Sequence, residues 1–322
     1  MSVRVSLETR LTDMLGIEYP IFQGGMAYVA LPALVGAVSN AGGLGILTGT
    51  SYTPEQLRDK IGEVRTLTNK PFAINFSPAC PYLEANLDIC IEEKILILTY
   101  GRGRHTTELI IDKVKPHGIV CIPVVGNVRQ ALRVGQEGAD AVIVSGLEGG
   151  GHVSHVSTLA LLPQVISKIN IPVIATGGFG DGKGLAAALA LGAEGIQMGT
   201  RFICTQESPV PLSIKQMMLR ATSEDTIVSG KITGLRTRVL KNKLTEKLID
   251  MEDRKVPISE FNRAAEGTGS KAFVDGDTEW GSVWCGQIAG MIEDIPTCKE
   301  LIERMVDEAR STLEMARGLF IS

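Results

Sequence analysis

Eight short apolar runs recur along the first two hundred residues, each closing on glycine or a small polar residue. They are PIFQGG from Pro20, GLGILTG from Gly43, FAINF from Phe72, ILILTY from Ile95, VCIPVV from Val120, AVIVSG from Ala141, PVIATGG from Pro172 and GIQMGT from Gly195. Runs of this length, rich in β-branched residues and bounded by turn formers, read as buried strands. Ala/Leu-rich helical stretches separate them, so strand and helix alternate, and that order requires parallel strands joined by crossovers. Eight such units close a cylinder, so the expected fold is an α/β protein of the (β/α)8 TIM-barrel type. In that architecture the loops after the strand C-termini form the active face, which makes glycines and isolated polar residues at strand ends the candidates for chemistry.

The alternation stops near Arg201, where charged residues become more frequent. We expect residues 1–205 to form the barrel, 206–280 an inserted lid or substrate unit after the eighth strand, and 281–322 C-terminal helices that complete the barrel's outer ring. Within the insert, 209–222 reads as a helix opened by prolines, TIVSG and TRVLKN as two short strands, and 257–272 as one helix ending in glycines. GSVWCGQIAGMI, from Gly281, reads as the start of an apolar helix able to close over a ligand. The stretch from Pro296 keeps apolar positions at helical spacing until Gly318.

Charge narrows the function classes. The 322 residues carry a formal net charge of −4 with basic residues spread along the chain, so there is no electrostatic footprint for nucleic acid. The uncharged tract from Tyr19 to Pro54 is long enough to raise the question of a membrane span, but prolines, glycines, Gln23, Ser39 and Asn40 interrupt it. A buried strand, helix and strand explain it better, and no membrane association is expected. Charges in MSVRVSLETRL argue against an export signal, so the expected compartment is the cytoplasm. Six cysteines, at 80, 90, 121, 204, 285 and 298, show neither a CxxC pair nor zinc-ligand spacing, and read as buried thiols.

The chemistry gathers at five strand ends. Gly177, Gly178, Gly199 and Thr200 follow the seventh and eighth runs, where bare backbone N–H groups can approach a phosphate closely. No Walker loop is present and no GxGxxG follows the first strand. After the sixth run, SGLEGGGHVSH places Gly150 and Gly151 where they can lie beneath a planar ligand and His152 where an imidazole can move a proton. Glu148 suits either a sugar hydroxyl or the cap of the following helix. His155 completes an H-x-x-H pair that lacks the further ligands zinc needs, so no metal is expected. Gly24 and Gly25 after the first run admit a flat ring against main chain, with Met26 as a soft contact or simply core. Asn75 ends the third run, as a partner for a heterocycle edge or a plain turn residue. Ser282, Trp284 and Gln287 belong to the Gly281 segment, where core packing accounts equally well for Trp284. Arg236, Arg238, Lys241 and Lys243 read first as a solvated basic face and second as a patch for an acidic partner or nucleotide phosphate.

Taken together, YPIFQGGMA, SNAGGLGIL, KPFAINF, IPVV, EGGGHVSH, IPVIATGGFGDGKG, QMGTRF and GSVWCGQIAG resemble the flavin-dependent type II enoyl-acyl carrier protein reductases, within the nitronate monooxygenase (2-nitropropane dioxygenase-like) family. The motif after the seventh and eighth strands is shared with inosine monophosphate dehydrogenases, but those carry a catalytic cysteine where this chain has His152. The resemblance implies an FMN-binding barrel, with NADH or NADPH as co-substrate and His152 as the catalytic group. It implies that Gly24, Gly25, Met26 and Asn75 contact the flavin ring, that Gly150 and Gly151 run along it, and that Glu148 falls near the ribityl chain. Gly177, Gly178, Gly199 and Thr200 would hold the phosphate, with Ser282 and Gln287 facing the flavin. The implied reaction is reduction of a trans-2-enoyl thioester, on acyl carrier protein or another carrier, by a homodimer. The rival within the family is oxidation of alkyl nitronates with oxygen, and a silent binding barrel is a third reading. TYGRGR departs from the reductases, and Arg102 and Arg104 there are expected to alter the pocket entrance.

Overall fold

The computed structural model describes residues 7–101 and 103–319, with the side chains of residues 104 and 105 left aside; Arg102 lies outside the described residues. Eleven strands are found there: β1 Ile21–Gln23, β2 Gly45–Thr48, β3 Phe72–Phe76, β4 Ile97–Tyr100, β5 Val120–Val125, β6 Val142–Ser145, β7 Gly151–His152, β8 Val173–Thr176, β9 Gly195–Met198, β10 Thr226–Ser229 and β11 Thr237–Leu240. Eight of them form a parallel sheet in the order β1-β9-β8-β6-β5-β4-β3-β2. Its two edges meet through the bridge between Phe22 and Leu44, where Gln23 N–H donates to Leu44 O at 3.0 Å and Leu44 N–H to Ile21 O at 2.9 Å. The sheet is thus a closed (β/α)8 barrel, as expected.

Side chains alternate along each strand with period two, so the inward positions can be followed upward layer by layer. Phe22, Leu44, Ile46, Ala73, Ile97, Ile122, Ile143 and Ile174 fill the lower interior as one buried cluster, and Leu11 and Leu15 of the helix Arg10–Leu15 join it to plug the N-terminal end. Two residues further along the same strands stand Gly24, Thr48, Asn75, Thr99, Val124, Ser145 and Thr176, and Gln197 follows Gly195 in the same way on β9. Apart from Val124, the interior therefore changes from aliphatic to small and polar at the C-terminal mouth.

The surrounding helices form for local reasons. Pro54–Leu67 begins with a reciprocal cap between Thr53 and Gln56, takes proline in its first turn, and buries Leu57, Ile61 and Val64 along one stripe. Each such side chain contributes about 1.5–3 kcal/mol on burial. The tract from Tyr19 to Pro54 is β1, the helix Pro32–Asn40 and β2, and among the described residues no helix is long and apolar enough to cross a membrane. The last helix, Cys298–Gly318, is capped by Thr297 and lies along the helix Gly182–Ala190. Glu308 accepts from Gly182 N–H at 2.8 Å, and a Cβ on Gly182 would stand 2.3 Å from Met305 O, so only glycine permits this approach.

After β9 the chain builds the helix Leu212–Arg220, then β10 and β11, then helices Lys243–Asp253, Ile258–Ala265 and Thr268–Phe273 around a small core of Leu244, Leu248, Met251 and Phe261. Two expectations need correction. The single helix expected over 257–272 is two, because Gly267 at φ 69° turns the backbone left-handed between them. The apolar helix expected from Gly281 is instead extended chain followed by the 3-10 turn Gln287–Met291. Its backbone is already committed: Val283 O accepts from Leu240 N–H at 2.9 Å, Ser282 N–H donates to Thr268 O at 2.8 Å, and Trp284 bridges Val239. The helix Lys243–Asp253 is not among the elements expected from the sequence, although Asn242 and Thr245 form its capping box.

Candidate active site

The mouth is assembled from loops that touch through glycine. Gly24 N–H donates to Met198 O at 2.9 Å, holding the β1 loop against β9. A Cβ on Gly25 would stand 2.4 Å from Asn75 Cβ, so main chain lies directly on the Asn75 side chain. That amide is fixed in turn by donation from Nδ2 to Thr99 Oγ1 at 2.8 Å. Met26 is half-buried against the main core, and a Cβ on Gly199 would come 3.2 Å from its sulfur. The ends of β1, β3 and β9 thus converge.

The β6 loop interlocks with three other segments. Gly146 N–H donates to Thr176 O at 3.0 Å. Gly150 packs on the backbone of residues 285 and 286, where an added Cβ would stand 2.7 Å from Gly286 N. Gly286 N–H donates to Thr200 Oγ1 at 2.9 Å, and Gln287 N–H donates to Glu148 O at 2.9 Å. Gly177, at φ 95°, sits over Gly149, and Gly178, at φ 90°, lies beside the Glu148 methylenes. The Glu148 carboxylate accepts from Thr158 N–H at 2.9 Å and lies 2.9 Å from Thr158 Oγ1. The carboxylate thus closes the N-terminus of Thr158–Ile166, where the helix dipole favours negative charge.

His152 reaches the rim through tertiary pairing. Gly151–His152 forms β7 and joins β11 antiparallel, with His152 opposite Thr237 and Gly151 opposite Arg238. Val153 N–H adds a bond to Arg236 O at 3.1 Å. The imidazole is exposed. The loop carrying His152 is therefore held by a strand some 85 residues further along, which the loop's own sequence does not announce.

The basic run does not act as one surface. Arg238 is only 6% exposed; its Nε donates to Leu147 O at 3.2 Å and its Nη1 to Thr226 Oγ1 at 2.8 Å. Burial pushes its pKa down, opposed by the nearby Glu148 carboxylate. Arg236 meets His155 Nδ1, and Lys243 pairs with Glu279 at 2.8 Å. Both the solvated-face reading and the single-patch reading fail for Arg238, whose guanidinium ties β11 to the loop carrying Glu148 and His152. Ser282 is also placed differently from the other named residues: its N–H donates to Thr268 O, at the start of the helix Thr268–Phe273.

Two contributors escaped sequence reasoning. Gln23 is fully buried at the barrel seam, where its Oε1 accepts from Ile46 N–H at 3.2 Å and its Nε2 reaches Gly24 O. A polar residue closing an apolar run was the available signal. Tyr28, at φ 65° in the β1 loop, had no distinguishing pattern. All six cysteines are buried free thiols, and burial pushes Cys204 up to about 11 and Cys121 up to about 12, which disfavours thiolate chemistry.

A family model described as nitronate monooxygenase matches residues 8–81 and 78–308. FabK from Thermotoga maritima superposes with a TM-score of 0.95 at 42% identity, covering 98% of this chain and 100% of that one. The (3aS,4S,5R,7aS)-5-hydroxy-7a-methyl-1-oxo-octahydro-1H-indene-4-carboxyl-CoA dehydrogenase of Rhodococcus jostii is 38% identical, over 98% of this chain and 99% of its own length. A probable nitronate monooxygenase of Staphylococcus saprophyticus is 30% identical, over 96% of this chain and 99% of its own length.

Proposed function

The chain belongs to the nitronate monooxygenase family of oxidoreductases, and from that membership we propose that it is an FMN-dependent enzyme reducing a trans-2-enoyl thioester with NADH or NADPH. The observation that carries the reading is the glycine interlock: the β1, β6, β8 and β9 loops and the 285–287 segment meet as bare main chain, beside an exposed histidine. The residues fit the cofactor, because a flat ring and a phosphate both need backbone approach closer than side chains allow. Gly24, Gly25, Met26, Asn75, Gly150 and Gly151 would face the ring. Gly177, Gly178, Gly199 and Thr200 would take the phosphate, with Gln287 and Ser282 on the closing segment.

Bound there, FMN would supply the two-electron carrier between nicotinamide and the enoyl β-carbon. His152 donates the proton at the substrate's α-carbon, a role suited to an imidazole, which can both carry and release a proton. Arg238 and the β7–β11 pairing hold the loop that aims it, and the polar mouth layer of Asn75, Thr99 and Gln197 orients what enters. Support for a thioester comes from two relatives: FabK is the type II enoyl-acyl carrier protein reductase, and the Rhodococcus relative carries an acyl-CoA in its name. The carrier here is CoA or acyl carrier protein. We place the enzyme in the cytoplasm, where six thiols stay reduced, as a homodimer.

A spectrum of purified protein, then anaerobic NADH or NADPH, then crotonyl-CoA, tests the reading. The expected result is a yellow protein bleached by nicotinamide and recoloured by the thioester. Oxygen uptake with alkyl nitronate and no nicotinamide, without thioester turnover, would establish the rival activity of the family. His152→Ala should leave the nicotinamide half-reaction intact and slow thioester reduction by about 10²–10⁴-fold; full retained rate would refute the proton-donor role.

A further inference from the structure

We propose that Tyr28 and Trp284 form a wall of the mouth that limits the bulk of the acyl group accepted; this rests on the enoyl-thioester reading above. Tyr28 stands two residues beyond Met26, in a turn where Ala30 N–H donates to Met26 O at 2.9 Å. Its φ of 65° is a left-handed conformation that a large side chain adopts at a cost, and such residues cluster where function requires them. The ring is 37% exposed and stacks on Trp284, with centroids 6.3 Å apart and planes inclined by 22°. Trp284 in turn stands two residues before Gly286, which packs on Gly150 and bonds Thr200.

The two aromatics therefore come from separate chain segments, each adjoining a residue of the glycine interlock, and they meet across the rim. Trp284 has little room to retreat. Phe273 lies behind it with ring centroids 5.3 Å apart, and the six-membered ring of the Trp284 indole covers Gly269 so closely that a Cβ there would stand 2.5 Å from it. A rigid indole backed on one side and stacked by tyrosine on the other is a steric boundary. A narrow linear enoyl group can extend past it, whereas a group carrying a ring at the β-carbon must displace one of the two side chains.

The test compares crotonyl-CoA with cinnamoyl-CoA, which carry a methyl and a phenyl group at the same carbon. One methylene in an apolar site is worth about 10–200-fold in selectivity, so removing a whole ring should shift the ratio by at least roughly tenfold. Trp284→Ala and Tyr28→Gly are each expected to raise the cinnamoyl-to-crotonyl ratio of kcat/KM at least tenfold. Glycine accepts the left-handed backbone at position 28 without strain, so the second variant remains informative if the first folds poorly. The non-reacting saturated analogue 3-phenylpropionyl-CoA supplies a readout without turnover: by titration calorimetry both variants should bind it at least fivefold more tightly than the parent. An unchanged kcat/KM ratio and unchanged analogue affinity in Tyr28→Gly, with crotonyl-CoA still reduced, would overturn the wall and leave the functional reading standing. Failure of the parent protein to reduce either thioester would overturn the functional reading and the wall together.

Discussion

Gly150→Ala adds one carbon where the β6 loop crosses the closing segment. That carbon would stand 2.7 Å from Gly286 N, 2.8 Å from Cys285 C and 3.0 Å from Cys285 Cα. Unstrained carbon contacts lie near about 3.5–4.0 Å, so the strands of chain must separate by roughly 0.8 Å or more. The neighbours are main chain and cannot rotate aside. They are also anchored, by Gly286 N–H to Thr200 Oγ1 at 2.9 Å and Gln287 N–H to Glu148 O at 2.9 Å. Losing both bonds costs about 1–3 kcal/mol, a range that matches the usual cost of overpacking. At roughly 2 °C per kcal/mol for a large domain, Tm should fall by about 2–6 °C, and FMN affinity should fall with the displaced loop. Scanning fluorimetry without cofactor and fluorescence titration with FMN measure the two effects separately. The matched control is Gly62→Ala, on the exposed side of the helix Pro54–Leu67 with no atom within 4 Å of the new carbon, which should stabilise by about 0.8–1 kcal/mol. If Gly150→Ala keeps both the Tm and the FMN affinity of the parent, the close-packed interlock is not what holds the loops of the mouth, and the reasoning fails.

Glu148→Gln keeps an acceptor but removes the charge facing the N-terminus of Thr158–Ile166; a loss of about 0.3–1 kcal/mol is expected in urea unfolding. Lys215 is buried with its ammonium donating to Thr205 O at 2.7 Å and Ser208 O at 2.8 Å, so Lys215→Met should cost about 1–3 kcal/mol by leaving carbonyls unpaired, and an unchanged urea midpoint would contradict this. Arg304, bonded at 2.7 Å, holds the Asp294 carboxyl below its ordinary value, with Arg201 assisting. Because the folded pKa is depressed, this contribution is complete above the unfolded value of 3.8 and disappears as pH falls through the lower folded value. Urea midpoints measured from pH 6 downward should therefore show a stability gap between the parent and Asp294→Asn that is constant above about pH 5 and closes on acidification; a gap that widens instead would reverse the sign.

The chain alone determined the barrel, because its information is local. A buried parallel strand needs a short β-branched run with a turn former at its end, and a helix such as Pro54–Leu67 carries its own cap and apolar stripe within fifteen residues. The glycines of the mouth were legible for the same reason, since bare backbone at a strand end is unusual enough to mark close approach. Their partners were not. That Gly25 lies on Asn75 and that Gly150 meets Gly286 follow from contacts between segments far apart in the chain. The extended course of 282–284 was decided by long-range backbone bonds that outweighed local helical preference, whereas the break at Gly267 is a local left-handed turn at glycine. Position 152 was identifiable as a candidate from its own loop, but its placement depends on β11 and on the buried Arg238. Strand register between distant segments is set by the summed packing of the whole molecule, and no window of sequence contains that sum.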